Sequence, residues 1–232
     1  MGKLPVLFIP GTLCTRAVFE SQINALAKVA RRVDAVQFTL EDSIAKMADK
    51  AIEMICRENG AAIVGFSMGG MVAMEIARTA PELIRKLALL NSNCHADLPD
   101  RHSARLRHLE QAKTKGMESV IRQHYLERYL HQQTTGASDL IINMASEMGA
   151  ACFEAQIKAL ASRPDSTTTL SAIKCPTLIM GAQQDQLCPP SEQLRMQSII
   201  ENSDLQILES CGHFSTLEKQ DEINKALLDW YL

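Results

Sequence analysis

Short apolar runs alternate with amphipathic stretches along most of the chain. Six runs have the length of a buried strand, and they cover residues 5–9, 33–38, 61–65, 86–91, 176–181 and 205–209. Runs that are apolar throughout, rather than at every second position, are typical of parallel strands that are buried on both faces.

Helical patterns separate these runs. Apolar residues return at helical spacing between positions 44 and 55, and Asp42 or Ser43 is suited to cap that helix. Further helices are predicted over 69–80, 191–201 and 218–231. Strands that alternate with helices predict an α/β fold with a mostly parallel sheet that is flanked by helices.

One long segment departs from this alternation. Between 97 and 165 no strand is predicted, and helical patterns cover 101–115, 117–131, 139–147 and 152–162. We therefore predict an α/β core formed by 1–96 and 166–232. Residues 97–165 are predicted to form a helical lid over one edge or face of the sheet.

Composition narrows the class of protein. The 232 residues are 46% hydrophobic and 22% charged, which fits one globular domain. A net charge of −3 gives no overall attraction to nucleic acid, and no apolar run approaches the ~20 residues that span a bilayer. The seven cysteines are scattered without C-x-x-C spacing, which argues against a zinc site and suits a reducing compartment. We expect a cytoplasmic protein without a membrane span.

A candidate nucleophile follows the third apolar run. Residues 65–69 read Gly-Phe-Ser-Met-Gly, a G-x-S-x-G sequence between a predicted strand and a predicted helix. In that context the glycines allow a sharp turn that exposes the hydroxyl of Ser67 above the sheet. The start of the following helix offers free N–H groups beside it. A glycine-rich turn that only packs helix against strand is the alternative.

His213 is the candidate general base. The other five histidines lie between positions 95 and 131, whereas His213 follows the last predicted strand in a Gly-His loop. We expect this loop to be flexible, so that the imidazole reaches across to Ser67. A side chain that titrates near neutral pH can take and return a proton.

Asp185 is the candidate orienting acid, because it is the first carboxylate after the fifth predicted strand. Its role is to accept the second N–H of His213 and to stabilise the imidazolium. The three residues run in the order Ser, Asp, His along the chain, as in the nucleophile-elbow hydrolases.

The oxyanion of an acyl-transfer reaction needs backbone donors. We predict the N–H groups of Met68, directly after the nucleophile, and of Thr12, in the loop after the first strand. Leu13 and Phe66 are candidates to line an apolar acyl pocket.

The predicted lid begins with a basic stretch. Between 101 and 115, five basic residues accompany a single acidic residue, Glu110. The favoured interpretation is a solvated outer helix face. The alternative is attraction of an anionic acyl group or an acidic carrier protein.

Taken together, these motifs resemble the α/β-hydrolase superfamily over essentially the whole chain. The matching features are Ile9-Pro-Gly-Thr12, the Ser67 motif, Cys175-Pro176, the Gly181…Asp185…Pro189 segment and Gly212-His213. Within the superfamily, the motifs most resemble those of small bacterial carboxylesterases, including the pimeloyl-carrier-protein methyl ester hydrolases, and those of enol-lactone hydrolases. The resemblance implies a Ser67–His213–Asp185 triad, a helical lid and no cofactor.

Two departures from the family pattern stand out. Pro10 stands where relatives carry a histidine, so hydrogen bonding around the Thr12 donor should differ. The chain also starts almost directly in a strand, without the usual antiparallel hairpin, so fewer than eight strands are expected.

Three functions remain open at this stage. The first is hydrolysis of a small-molecule carboxylic ester or thioester through an acyl-Ser67 intermediate. The second uses the same triad on a lactone or a carbon–carbon bond, or for perhydrolysis. The third is a non-catalytic ligand-binding protein of the same fold, since fold alone does not decide function.

Overall fold

The computed structural model describes residues 3–232, except for the side chain of Pro99. Within that range one parallel sheet has the strand order β2–β1–β3–β4–β5–β6. The strands are β1 (Pro5–Ile9), β2 (Arg32–Ala35), β3 (Ala61–Phe66), β4 (Ile84–Leu90), β5 (Thr177–Ala182) and β6 (Ser203–Leu208). Each predicted strand is present, and the described sheet has six strands, fewer than eight as expected.

Helices flank the sheet and form the segment between β4 and β5. They are α1 (Glu20–Leu26), α2 (Ile44–Ile55), α3 (Met68–Thr79), α4 (Pro99–Val120), α5 (Leu126–Tyr129), α6 (Thr135–Ala161), α7 (Thr167–Ala172), α8 (Pro190–Ile199), α9 (Ser215–Glu218) and α10 (Gln220–Tyr231). Short 3₁₀ helices cover Arg16–Phe19, Cys56–Glu58 and Pro81–Leu83, and a π-helical turn covers Ile121–Tyr125. No helix within residues 3–232 has the length and apolarity that a bilayer crossing requires.

The inner strands β1 and β3 are apolar throughout because both faces of the sheet are covered there, whereas the edge strands β2 and β6 carry exposed polar residues such as Arg32 and Asp204. Phe8 and Val64 belong to a core cluster with α1 and α10, whereas Leu7 and Ile63 belong to a second cluster with α2 and α3. Alternate side chains of one strand therefore enter different clusters, as the two-residue repeat of a strand requires. Complete burial of each such side chain contributes roughly 1.5–3 kcal/mol to folding.

Some element boundaries differ from the predicted ones. β2 ends at Ala35, although the Val36 N–H still donates to the Phe8 carbonyl of β1 at 3.0 Å. The side chains of Val36 and Phe38 pack in the cluster that contains α2, so the predicted strand was too long at this end. The short helices α1 and α7 were not predicted, because seven and six residues give too little periodicity for a clear signal.

The helices α4, α5 and α6 form an insertion between β4 and β5, which we call the helical insertion. Gly116 and Gly149 interrupt α4 and α6 with φ values of 82° and 73°, in the two gaps between predicted helices. A Cβ at either glycine would meet no atom within 4 Å, so the positive φ alone favours glycine there.

Ion pairs join the two ends of the helical insertion. The Asp97 carboxylate accepts hydrogen bonds from Arg105 at 2.6 Å and from Arg163 at 2.8 Å. The side chains of Asp97 and Arg163 are only 4% and 3% exposed. Asp97 precedes α4 and Arg163 follows α6, so the segment leaves the core and returns to it at one place.

The strand order creates a crevice at one end of the sheet. β2 lies on one side of β1, and β3 lies on the other. Helices that follow such neighbouring strands lie on opposite faces, which leaves room for a ligand at the carboxyl ends of β1 and β3. The loop that contains Thr12 and the turn that contains Ser67 both begin there.

Candidate active site

Ser67 lies on a sharp turn between β3 and α3. Its backbone has φ 52° and ψ −116°, a conformation that costs a residue with a side chain about 1–3 kcal/mol. The Ser67 N–H donates to the Leu90 carbonyl at 2.9 Å, and the Ser67 carbonyl accepts from Gly70 N–H and the Ser92 hydroxyl. These bonds hold the turn in the strained conformation.

Two glycines make room for the turn. A Cβ on Gly65 would lie 2.5 Å from the Gly69 carbonyl oxygen, and a Cβ on Gly69 would overlap the Ile9 carbonyl. The start of α3 therefore packs directly on the backbones of β1 and β3. This close approach explains why glycine is required on both sides of Ser67.

The structure brings Ser67, His213 and Asp185 together. The Ser67 Oγ lies 2.9 Å from His213 Nε2, and His213 Nδ1 lies 2.8 Å from Asp185 Oδ2. The side chains of His213 and Asp185 are 3% and 0% exposed. The geometry allows Ser67 to donate to His213 and His213 to donate to Asp185.

Four hydrogen bonds surround the Asp185 carboxylate. Oδ1 accepts from the backbone N–H groups of Leu187 at 2.8 Å and Cys188 at 2.9 Å, and Oδ2 accepts from His213 and from Asn91 Nδ2 at 3.0 Å. Burial by itself raises the pKa of Asp185, but the charge of His213 and these hydrogen bonds outweigh it and lower the pKa. The carboxyl group is therefore ionised when it faces the imidazole.

Asn91 is a site residue that the sequence analysis missed. It directly follows β4, has φ 47°, and is completely buried. The Ser215 hydroxyl donates to Asn91 Oδ1 at 2.5 Å, which turns the Asn91 amide nitrogen towards Asp185. Its position at the carboxyl end of a central strand was the signal that could have identified it.

The loop that carries His213 is held on several sides. Gly212 N–H donates to Glu218 Oε2 at 2.7 Å, and Cys211 N–H donates to Gln184 Oε1 at 2.9 Å. Phe214 N–H donates to the Tyr129 carbonyl of the helical insertion at 3.1 Å. These three bonds hold the loop where the imidazole meets Ser67, and the flexibility of the loop stays a prediction.

The two residues predicted to supply oxyanion donors, Thr12 and Met68, both line the cavity described below. Met68 is the first residue of α3, a position whose N–H has no intrahelical acceptor. The next residue after Thr12, Leu13, has φ 57° and donates its N–H to Gln156 Oε1 at 2.8 Å. Gln156, on α6, thus holds the loop that carries Thr12.

A cavity of about 300 Å³ opens above Ser67 and His213. Phe66 lies in its wall, with its ring centroid 5.3 Å from that of His213. Leu13, the other predicted pocket residue, is not among the described residues of the wall. Leu13 is 4% exposed and packs in the core cluster that contains Phe8.

The basic stretch at the start of α4 divides between two surroundings. Arg101 and Arg105 line the cavity, whereas Arg107, Lys113 and Lys115 are exposed. The interpretation of this stretch as a solvated outer face therefore holds for only part of it. Arg128 and Arg163 also line the cavity. Neither was predicted, since no local pattern distinguishes them from surface arginines.

Asp185, Cys188 and His213 offer donor atoms within 4.8 Å of one another, as a metal site would. Two of these groups already hydrogen-bond each other, and burial raises the pKa of the Cys188 thiol to about 12. Metals bind the thiolate, so a protonated cysteine is a poor ligand. The donor set fits a hydrogen-bonded triad better than a metal centre.

Comparison with known proteins places the fold in a family. The family model described as the alpha/beta hydrolase fold matches residues 37–220. Among solved structures, a thermophilic esterase from Thermogutta terrifontis superposes with a TM-score of 0.87 at 24% identity. That superposition covers 98% of this chain and 89% of the esterase.

Curated relatives are named for different reactions. A protein of Rhizobium rhizogenes named as a carbamate hydrolase, RutD, is 28% identical over 192 residues, which cover 80% of this chain and 72% of the relative. A 2-hydroxy-6-oxononadienedioate/2-hydroxy-6-oxononatrienedioate hydrolase of a Pseudomonas species is 24% identical, with 72% of this chain and 62% of the relative covered. Hydrolysis is common to these names, but the bond and the substrate are not.

Proposed function

The chain belongs to the alpha/beta hydrolase fold family, and we propose that it is a serine hydrolase that cleaves a carboxylic ester or thioester. The observation that carries the proposal is the unbroken hydrogen-bonded series from Ser67 to His213 to Asp185, with distances of 2.9 and 2.8 Å. The strained backbone of Ser67 supports it further, since strain of this kind concentrates at functional sites.

In the proposed first half-reaction Ser67 Oγ attacks the substrate carbonyl carbon, and His213 Nε2 takes the hydroxyl proton. Asp185 stabilises the resulting imidazolium, and the N–H groups of Thr12 and Met68 donate to the negative oxygen of the tetrahedral intermediate. The bond to the leaving group then breaks, and His213 returns the proton to the leaving oxygen or sulfur. Ser67 is left as an acyl ester.

The second half-reaction repeats these steps with water as the nucleophile. His213 removes a proton from the water as it attacks the acyl carbonyl, and the tetrahedral intermediate collapses with release of the carboxylic acid. His213 then restores the proton to Ser67 Oγ. The fixed position of His213 suits this double use, because one nitrogen must face both the serine and the entering water.

Carbamate hydrolysis is a second candidate, favoured by the likeness to the protein named RutD. A carbamate presents the same kind of carbonyl to Ser67, with nitrogen in place of the acyl carbon. Lactone, carbon–carbon and perhydrolase chemistry would also use the same three side chains. A non-catalytic binding protein is less well supported, because binding alone does not require a strained serine paired with a buried histidine.

Hydrolysis of p-nitrophenyl esters from acetate to laurate tests the proposal, with p-nitrophenyl carbamate as a parallel substrate. Ser67→Ala should lower kcat by roughly ten-thousand-fold or more. Ser198→Ala, at an exposed serine on α8, is the matched control and should keep wild-type rates. Activity that survives in Ser67→Ala would refute Ser67 as nucleophile, and turnover of the carbamate alone would select the second candidate.

A further inference from the structure

Four arginines of the cavity wall have no role in the proposed triad. Arg101 and Arg105 lie four residues apart on α4, on the face that also presents Ala104 and His108 to the cavity. Residues at such spacing share one side of a helix. Arg128, from α5, and Arg163, from the end of the helical insertion, complete the set.

Few carboxylates balance these guanidinium groups. Arg105 and Arg163 share the single carboxylate of Asp97. Among the described residues that line the cavity, Asp100 is the one with a carboxylate. Arg101 makes a hydrogen bond of 3.2 Å to the carbonyl of Leu187, which carries no charge. The cavity is therefore locally positive in a chain whose net charge is −3.

Arg163 holds a donor group without an acceptor. Its side chain is 3% exposed, its Nε donates to the His95 carbonyl at 3.0 Å, and its Nη1 donates to Asp97 and Leu160. The buried Nη2 has no hydrogen-bond partner among the described residues. Because this nitrogen is itself buried, Arg163 adds positive charge to the cavity wall without offering the nitrogen to a ligand.

His108 lies in the same cavity wall as these arginines. Burial lowers the pKa of His108 to about 4, and the charges of His124, Arg107 and Arg128 add to the effect. The imidazole faces the cavity and accepts or donates a bond at 2.9 Å to Tyr125, another wall residue. A neutral His108 leaves the arginines as the cationic groups at this end of the cavity.

We propose that the substrate carries a carboxylate, which Arg101 and Arg128 bind while its ester group lies at Ser67. The inference rests on the proposed function and specifies its substrate class. A cavity of about 300 Å³ is at the lower end of the range for small-molecule sites, so a short half-ester of a dicarboxylic acid fits better than a long acyl chain. Guanidinium groups suit this task, because they bind carboxylates through paired N–H donors.

The test compares esters that differ only by a carboxylate. Mono-p-nitrophenyl glutarate and p-nitrophenyl valerate share their leaving group and acyl length, and they place the charge or a methyl group at the end of the acyl chain. The pair 4-butyryloxybenzoate and phenyl butyrate places the charge on the leaving group instead. We expect the wild-type protein to prefer the charged member of at least one pair by about tenfold or more in kcat/KM.

Arginine variants then locate the preference. Arg101→Gln and Arg128→Gln should each lower the charged-to-neutral ratio of kcat/KM by about tenfold, mainly through a higher KM for the charged ester. Arg107→Gln removes one charge from an exposed position of the same helix and should leave the ratio unchanged. An equal fall in Arg107→Gln would reduce the effect to general attraction and overturn the site.

A binding measurement separates this inference from the proposed function. Calorimetry of the Ser67→Ala protein with monomethyl glutarate and with methyl valerate needs no turnover. Tighter binding of the glutarate, lost in the Arg101→Gln double variant, supports the carboxylate site even if no ester is hydrolysed. Equal binding of the two compounds, or an equal rate on charged and neutral esters, overturns it even if Ser67 is the nucleophile.

Discussion

The carboxyl ends of the strands, which we call the sheet edge, and the helical insertion contribute to the cavity in different ways. Ser67, Asp185 and Asn91 follow strand ends, where backbone hydrogen bonds and close glycine contacts fix each position. Arg101 and Arg128 project from helices of the insertion and are partly or largely exposed. Under the proposed function, bond cleavage would depend on the part whose backbone is held by hydrogen bonds and close contacts, and substrate choice on side chains of the helical insertion.

The largest expected effect tests the sheet edge alone. Asp185→Asn keeps the size of the side chain but removes the charge that orients and stabilises protonated His213, so kcat should fall by about 10⁴-fold. Both members of an ester pair should lose rate equally, because the arginines are untouched. Steady-state kinetics on mono-p-nitrophenyl glutarate and p-nitrophenyl valerate measure both quantities. A change in preference as large as the change in rate would contradict the division of roles.

Glycine substitutions compare the tolerance of the two regions. Gly69→Ala forces a Cβ into the Ile9 carbonyl, and we expect it to lower the free energy of unfolding by at least about 3 kcal/mol. Gly149→Ala meets no neighbour and should cost only about 1 kcal/mol, for the positive φ. Urea unfolding of both variants, with Gly136→Ala as control, gives the comparison. Similar losses in the two would mean that the insertion is packed as tightly as the sheet edge.

Gln156 is a residue of the helical insertion that we expect to affect the reaction rate and not only the choice of substrate. It belongs to α6 of the helical insertion, yet it accepts the N–H of Leu13 beside the predicted oxyanion donor Thr12. Gln156→Leu should lower kcat by roughly tenfold with little change in KM, because a displaced oxyanion donor weakens only the transition state. Gln123→Leu changes an exposed glutamine of the insertion and serves as the control. An unaltered kcat in Gln156→Leu would restore the strict division.

As the pH falls, the helical insertion should lose stability before the sheet edge does. The pKa of His108 is lowered from 6.5 to about 4, so the unfolded chain binds a proton that the folded chain resists. The free energy of unfolding is therefore highest, as far as His108 is concerned, above pH 6.5. It falls by roughly 1–2 kcal/mol, after allowance for solvent screening, as the pH falls towards 4. The pKa of Asp185 is lowered, so its contribution is lost only in stronger acid.

His108→Gln should flatten the pH dependence of the unfolding free energy between pH 6.5 and 4. Hydrogen exchange of α4 amides against β3 amides would locate the loss, with faster exchange first in α4. The same slope in wild type and His108→Gln would show that another group controls the acid response.

The sequence predicted the sheet edge well because its constraints are local. An apolar run followed by G-x-S-x-G contains both the strand and the turn, and the contacts of Gly65 with Gly69 and Gly70 lie within five residues. The Ser67 motif, Asp185 and His213 therefore emerge from short patterns and their order. Their meeting at 2.8 and 2.9 Å follows from the parallel sheet, which brings strand ends to one edge.

The helical insertion was less predictable because its important contacts are distant in sequence. Which face of α4 meets the cavity depends on packing against α6, and Arg163, one of the two partners of Asp97, lies 66 residues away from it. The hold on His213 likewise depends on Glu218 and on the Tyr129 carbonyl. None of these pairings leaves a periodic pattern in the sequence. The contacts that hold His213, and the position of Leu13 outside the described cavity wall, therefore could not be predicted.

The ion pairs of Asp97 with Arg105 and Arg163 hold the two ends of the helical insertion together. The start and the end of the insertion meet at one buried carboxylate. The insertion therefore connects to the sheet as a short closed loop would. The entropy of closing a loop grows only with the logarithm of its length, by ~0.6 kcal/mol for each doubling. A foreign helical segment with aspartate at its start and arginine at its end should therefore close the gap between β4 and β5 at little entropic cost, provided that it also replaces the contacts of Gln156 and of the Tyr129 carbonyl with the core.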